Sequence, residues 1–249
     1  MKKVATYRER IYGHYSSEKM ASWRDYNEEG YRRWALAAEV RLKGWLPKNK
    51  NAACLDLGCG PGNMLYLLSK EGYKNNCGVD VSPEQIVVAK RINPNVICAD
   101  VKDYLGRFRE NFDLITAFDL VEHFQKEELL DLLKTIKEAL KPGGILIIQT
   151  PNAESPWGLM HRYHDFTHEL AFDPHSLRHI LIIEGFTNFE ARECGPHIHG
   201  IKSFIRALIW QGIWIALALW NLAETGSLGS GIYTRVFVAK AEKPLDDAL

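Results

Sequence analysis

The chain has 249 residues, 46% of them hydrophobic, which suits one α/β domain with insertions and a large core. Lys plus Arg and Asp plus Glu both number 31, so the composition excludes broad electrostatic capture of nucleic acid and leaves only a local basic patch open. The five cysteines, an odd number with no C-x-x-C pair, exclude a disulfide framework and suit small core residues in a reducing compartment.

The opening MKKVATYRERIYGHY is basic but lacks the apolar run of a signal peptide, so the expected location is cytoplasmic. Residues 1–50 read as an N-terminal helical cap rich in aromatic residues, and 51–249 as the main domain, with insertions at about 151–173 and 197–230. From about Glu28 to Trp45, the apolar Tyr31, Trp34, Leu36, Ala38 and Leu42 recur at helical spacing, and the Gly44–Pro47 region ends the helix.

Ala52–Met64, AACLDLGCGPGNM, is the stretch that organises the rest. A buried strand, Ala53–Leu57, runs into a turn with Gly58, Gly60 and Gly62, and a helix opens at about Asn63. Glycines let the backbone approach a ligand closely, and the amides then point outward at a helix N-terminus. The dinucleotide pattern G-x-G-x-x-G needs a third glycine where Asn63 stands, which disfavours a dehydrogenase. Asp56 followed by G-C-G-P-G resembles motif I of the class I S-adenosylmethionine (SAM)-dependent methyltransferases. The resemblance implies an α/β, Rossmann-like, seven-stranded and mostly parallel sheet with helices on both faces, and SAM held by Gly58, Cys59, Gly60, Asp80, Val81, Asp100, Val101 and Phe118. It also lays the N-terminal helix over the cofactor, where Arg32 or Arg33 meets the methionine carboxylate unless both sit on a solvated face.

A helix over Asn63–Glu71 leads to a strand at Asn76–Val81, whose Asp80 can accept hydrogen bonds from both ribose hydroxyls of a nucleoside. Ser82 as N-cap and Pro83 at the first position start the next helix. After the strand Asn95–Cys98, Asp100 either meets the adenine amino group, as the resemblance implies, or caps a helix. The apolar run Phe112–Phe118 suits a central parallel strand, Glu127–Leu140 a helix stopped by Lys141-Pro142-Gly143-Gly144, and Ile145–Gln149 the next buried strand. Thr150 to Pro174 reads as a long functional loop. A helix (Pro174–Glu184), a strand (Phe186–Arg192) and an antiparallel closing strand (Tyr233–Lys240) complete the sheet. Ala207–Ala223 carries no charge and falls just short of the roughly twenty apolar residues of a membrane span. It is expected to be a helix buried against the acceptor lid or a second subunit, with an interfacial membrane helix or a true span as the alternatives.

Asp119, Glu122 and His123 follow the fourth strand with D-x-x-E-H spacing, which puts three side chains on one side of a helical turn. This resembles the E-x-x-E-H cluster of metal-dependent 2′-O-methyltransferases acting on small RNAs and of ubiquinone-pathway O-methyltransferases, with Asp in place of the first Glu. His168, in D-F-T-H-E, looks like the histidine that completes the former site. Such a ligand set suits Mg²⁺ or Mn²⁺, which would acidify a bound hydroxyl. Without a metal, His123 acts as general base or hydrogen-bonding anchor. His161, Arg162 and His164 are expected to contact the acceptor.

The TPN motif, the D-F-T-H-E loop, the Phe172–Phe186 segment and the tryptophan-rich excursion look like those of surface-polysaccharide and glycan methyltransferases. The expected function is O-methylation of a sugar, nucleotide-sugar or glycan hydroxyl. A quinone or small-phenol acceptor, a 2′-O RNA acceptor and a non-catalytic SAM-binding scaffold are the alternatives. Homodimer formation stays open.

Overall fold

The computed structural model describes residues 7–12 and 27–245. Tyr15, Trp23 and Tyr26 of the expected aromatic cap therefore lie outside the described residues. Seven strands, β1 (Ala53–Leu57), β2 (Asn75–Asp80), β3 (Val96–Cys98), β4 (Phe112–Phe118), β5 (Leu140–Pro151), β6 (Thr187–Glu193) and β7 (Val236–Glu242), form one sheet. Their order is β3-β2-β1-β4-β5-β7-β6. The first five are parallel, and β7 inserts antiparallel between β5 and β6. The chain thus winds outward from β1 in one direction and from β4 in the other, and a crevice opens between their carboxyl ends.

Buried apolar runs explain the centre: every residue of β1 is buried, and Leu114–Ala117 of β4 are buried too. The described helices are α1 (Tyr7–Tyr12), α2 (Glu28–Arg41), α3 (Asn63–Lys70), α4 (Pro83–Ala89), α5 (Val101–Leu105), α6 (Lys126–Ala139), α7 (Gly158–His164), α8 (Pro174–Ile183) and α9 (Ile201–Thr225). On one face of the sheet Ala35, Ala38 and Leu42 pack with Met64, Leu67 and Leu68 over Cys54 and Leu114. On the other, Leu129, Leu132, Leu133 and Ile136 of α6 join Leu177 and Leu181 of α8 against Leu55, Ile115 and Leu146. These positions recur every three or four residues along each helix, the spacing of one apolar stripe.

Several expectations are corrected. The first long helix stops at Arg41 rather than Trp45, since Leu42 is its C-cap and Gly44 takes a φ of 79°. β5 starts at Leu140, so the Lys141–Gly144 segment belongs to the strand, with a register shift against β4. β7 starts at Val236, three residues beyond Tyr233. The segment after Thr150 is not all loop, because it holds α7 and a parallel bridge between Asn152 and Phe172. Ser82 is the N-cap residue of α4, yet its hydroxyl makes no capping bond.

α9 departs most. The burial expected against the chain's own lid is absent among the described residues: of its 25 residues only Ser203 and Ala218 are buried within this chain. Among the described residues it is the one helix long and apolar enough to cross a membrane.

Candidate active site

The carboxyl ends of β1, β2 and β4 border a cleft of about 650 Å³. Its floor is the β1–α3 turn, where Gly58, Gly60 and Gly62 take φ values of 63°, 52° and 96°. Residues bearing a Cβ resist such left-handed values. A Cβ on Gly58 would also stand 3.0 Å from Leu120 Cδ1, so a glycine there admits the segment following β4.

Asp80 reaches from the end of β2 back to this turn. Gly60 N donates to Oδ2 at 2.9 Å and Ser82 N to Oδ1 at 2.8 Å. Both bonds fix the carboxylate's direction while each oxygen keeps a second acceptor position. Burial raises its pKa, against the lowering effect of the Ser82, Gly60 and Val81 amides. Ser82 Oγ and Gln85 Oε1 are buried beside it without a partner among the described residues. Each such orphan costs roughly 1–3 kcal/mol unless a ligand satisfies it. An oriented carboxylate, a bare backbone turn and two orphaned polar atoms together fit the polar nucleoside of SAM.

The other expected cofactor positions also line the cleft: Cys59, Val81, Asp100, Val101 and Phe118. Asp100 caps the following helix, since Oδ1 accepts from Lys102 N at 2.8 Å and Asp103 N at 3.2 Å, and the residue also lines the cleft. Phe118 packs against Trp34 of α2 with ring centres 5.9 Å apart. Neither Arg32 nor Arg33 lines this cleft: both line a separate cavity, and Arg32 pairs with Glu29 at 2.9 Å. Arg8 of α1 lines it instead, bonded to Glu128 at 2.9 Å and donating to His123 O at 3.0 Å. Arg8, Gln85 and Gln149 are cleft residues that sequence reasoning missed; only Gln149, at the end of a predicted strand, had a usable signal.

Behind the turn, Asp56 accepts from Thr116 Oγ1 at 2.6 Å. Burial pushes its carboxyl up to about 7 despite that bond, and neighbouring Asp80 adds to the rise. The neutral form therefore favours the folded state, a contribution complete below the unfolded value of 3.8 and lost as pH rises through about 7. The full rise corresponds to at most ~4 kcal/mol. Urea melts are expected to show stability falling between roughly pH 4 and pH 7, and Asp56→Asn to flatten part of that fall. Equal slopes in the two proteins would contradict the assignment.

A second constellation sits where β4 ends. Asp119 takes a φ of 51°, turning the chain before the 3₁₀ turn Val121–His123. This corrects the expected shared helical side: ligand atoms of Glu122, His123 and His168 lie within 4.8 Å of one another, and Asp119 stands outside that group. Gln149 Nε2 holds the Asp119 carboxylate at 3.2 and 3.1 Å. Solvent reaches Asp119 through the cleft, but the surrounding protein raises its pKa by desolvation, with Gln149 and Arg41 opposing. Glu122 is buried; Thr150 Oγ1 donates to Oε2 at 3.0 Å, while Oε1 has no partner among the described residues. Burial, and then the Asp119 charge, hold its carboxyl well above the usual range.

The two imidazoles meet edge to face, ring centres 4.8 Å apart. Thr167 Oγ1 donates to Asp165 Oδ1 at 2.6 Å and lies 2.9 Å from His123 Nδ1, so the consistent assignment has Nδ1–H donating to Thr167. His168 Nδ1 lies 3.0 Å from the His161 carbonyl, which can only accept. Both rings therefore carry their lone pair on Nε2, the form that takes up a proton or a cation. The orphaned Glu122 oxygen and two such imidazoles fit a divalent ion as a donor set.

The three expected acceptor contacts lie on α7. His164 is exposed, while His161 Nε2 is buried without a partner among the described residues. Arg162 donates to the His168 carbonyl and, at 2.7 Å, to that of Glu169, so it ties the loop after α7 together.

A family model described as a methyltransferase domain matches residues 26–191. Ubiquinone biosynthesis O-methyltransferase of Coxiella burnetii is 35% identical over 109 residues, 41% of this chain and 45% of that protein. The namesake from Erwinia tasmaniensis is 26% identical over 126 residues, 47% of this chain and 51% of that protein. The match thus spans about half the length of these curated relatives. Among solved structures, a SAM-dependent methyltransferase from Archaeoglobus fulgidus aligns with a TM-score of 0.63 at 25% identity, covering 87% of this chain and 97% of that one. Phosphoethanolamine N-methyltransferase 2 of Haemonchus contortus, solved with SAM, aligns with a TM-score of 0.62 at 20% identity over 98% of this chain and 61% of that one, a likeness of fold.

Proposed function

Since this chain belongs to the methyltransferase-domain family and is a SAM-dependent methyltransferase, we propose that it methylates one hydroxyl of a neighbouring pair on a small molecule. The observation that carries this reading is the Glu122, His123 and His168 group, of which His123 lines the cofactor cleft. The curated relatives act in ubiquinone biosynthesis as O-methyltransferases, which supports a catechol-like acceptor over the sugar or glycan hydroxyl expected from sequence.

Asp80 accepts the ribose hydroxyls, Asp100 and Val101 border the adenine, and the Gly58–Gly60 backbone lies against the amino-acid part. SAM supplies an electrophilic methyl on a sulfonium, so the protein's task is alignment and proton removal. His123 presents Nε2 to the acceptor and takes its proton. The resulting imidazolium keeps its Nδ1–H on Thr167, whose hydroxyl is anchored on Asp165, so the ring holds its orientation through the change of charge. Alternatively, Glu122, His123 and His168 would hold a Mg²⁺ or Mn²⁺ ion, with His123 Nε2 a ligand instead of the base, and the ion would supply Lewis acidity that lowers the pKa of a nearby hydroxyl. Thr150 and the His161 carbonyl hold two of those three groups in place.

Product analysis with labelled SAM tests the acceptor. A catechol is expected to give a mono-O-methyl ether with kcat/KM about 10²-fold or more above that of the matching monophenol, the loss of an activating contact. A vicinal sugar diol serves as the competing acceptor. Preference for the sugar would restore the glycan reading, and transfer to an amine at the catechol rate would discard hydroxyl methylation.

A further inference from the structure

A second cavity, of about 910 Å³, lies between α2 and the segment entering α9 and is lined, besides the Glu29–Arg32 pair, by four further arginines, Arg33, Arg41, Arg206 and Arg235. None of these four makes an ion pair among the described residues; Arg235 instead lies over the Trp157 ring at 5.3 Å. Glu29, a lining carboxylate, is spent on Arg32. Four guanidinium groups lining one space make it strongly positive, and their forked donors match phosphate oxygens two at a time. A single carboxylate would leave most of that charge uncompensated.

The cavity abuts the reacting end of the cofactor cleft. Cys194, on its wall, has Sγ 4.0 Å from Gln149 Oε1, and Gln149 lines the cleft and holds Asp119. It also continues into the apolar surface of α9, because Arg206 and Trp210 of that helix line it while Phe204, Ile205, Leu208 and Ile209 stand exposed alongside. We propose that this cavity holds a phosphate carried by the methyl acceptor, and that the acceptor is an amphiphile whose hydrocarbon chain lies along the exposed apolar side of α9. A phosphate without a chain would use the arginines and leave the helix unexplained; an uncharged lipid would do the reverse. The proposal rests on hydroxyl methylation as the reaction, but its test reads binding alone.

Calorimetry with the full chain compares dodecyl phosphate below its micelle concentration, inorganic phosphate, dodecyl maltoside, and vesicles of phosphatidylcholine or phosphatidylglycerol. Dodecyl phosphate is expected to bind at least about tenfold more tightly than inorganic phosphate or dodecyl maltoside. Arg33→Gln with Arg41→Gln is expected to weaken it about tenfold or more, and Arg206→Gln to weaken it too, while SAM affinity stays unchanged and reports an intact fold. Equal binding of dodecyl maltoside, or arginine variants that bind as before, overturns the proposal. So does capture by phosphatidylglycerol vesicles without binding of monomeric dodecyl phosphate, which assigns the arginines to a bilayer surface. Because no turnover is read, an amine-methylating enzyme would pass this test and fail the acceptor test above.

Discussion

Asp80→Ala is expected to weaken SAM binding by about 10²–10⁴-fold in titration calorimetry, since two charge-assisted hydrogen bonds to the ribose are worth roughly 1.5–3 kcal/mol each. The carboxylate is aimed before the cofactor arrives, by Gly60 N at 2.9 Å and Ser82 N at 2.8 Å, so little ordering cost offsets those bonds. The same amides lose their acceptor in the alanine variant, which loosens the turn as well as the ribose contact. Asp80→Asn separates the two effects: the amide oxygen can still take one backbone bond, but the charge and one acceptor are gone. Its loss should fall between wild type and Asp80→Ala, with the folded state checked by thermal melting. Affinity within about twofold of wild type in both variants, well under one such hydrogen bond, would remove the ribose assignment.

What sequence could read here is what local chemistry dictates. β1 announces itself through five consecutive buried positions, and the turn after it through glycines whose φ values side chains resist. Asp80 is legible because a carboxylate at a parallel strand's carboxyl end stands where the sheet's order reverses. Asp119 misled because D-x-x-E-H looks like one helical turn. A φ of 51° there breaks that geometry, and nothing in the residue type announces it. α7 escaped because Gly158–His164 is rich in histidine, arginine and tyrosine and shows no apolar stripe. Arg8 arrives at the cleft through tertiary folding, its contacts to Glu128 and His123 lying more than a hundred residues away in sequence, so no local pattern could mark it. α9 misled in another way. A helix apolar nearly all round ordinarily belongs in a core, yet this one is exposed along most of its length, so its apolar character needs a partner outside the described chain.

Replacing His168 with alanine is expected to lower kcat by about 10²–10⁴-fold, the range for a positioned proton-transfer or metal-ligating group, with SAM affinity unchanged because His168 does not line the cofactor cleft. His123→Ala should lose at least as much, since His123 borders the cleft and touches both Thr167 and the His168 ring. These losses alone do not separate a metal centre from a general base, but Glu122 does. Its Oε1 is buried with no partner among the described residues, and its carboxyl is held well above the usual range by burial. An ion would supply the compensating charge and draw the carboxylate into its ionised form. With a metal, chelator-treated enzyme is expected to lose turnover and regain it with Mg²⁺ or Mn²⁺. Glu122→Gln, which keeps an acceptor for Thr150, should then weaken Mn²⁺ binding in an EPR titration by at least about tenfold, the scale for losing one charged contact. Without a metal, activity survives the chelator and Glu122→Gln is mild, while the histidine variants stay severe. Full turnover in chelator together with an unaltered Mn²⁺ titration would discard the ion and leave His123, steered by Thr167 and Asp165, as the base.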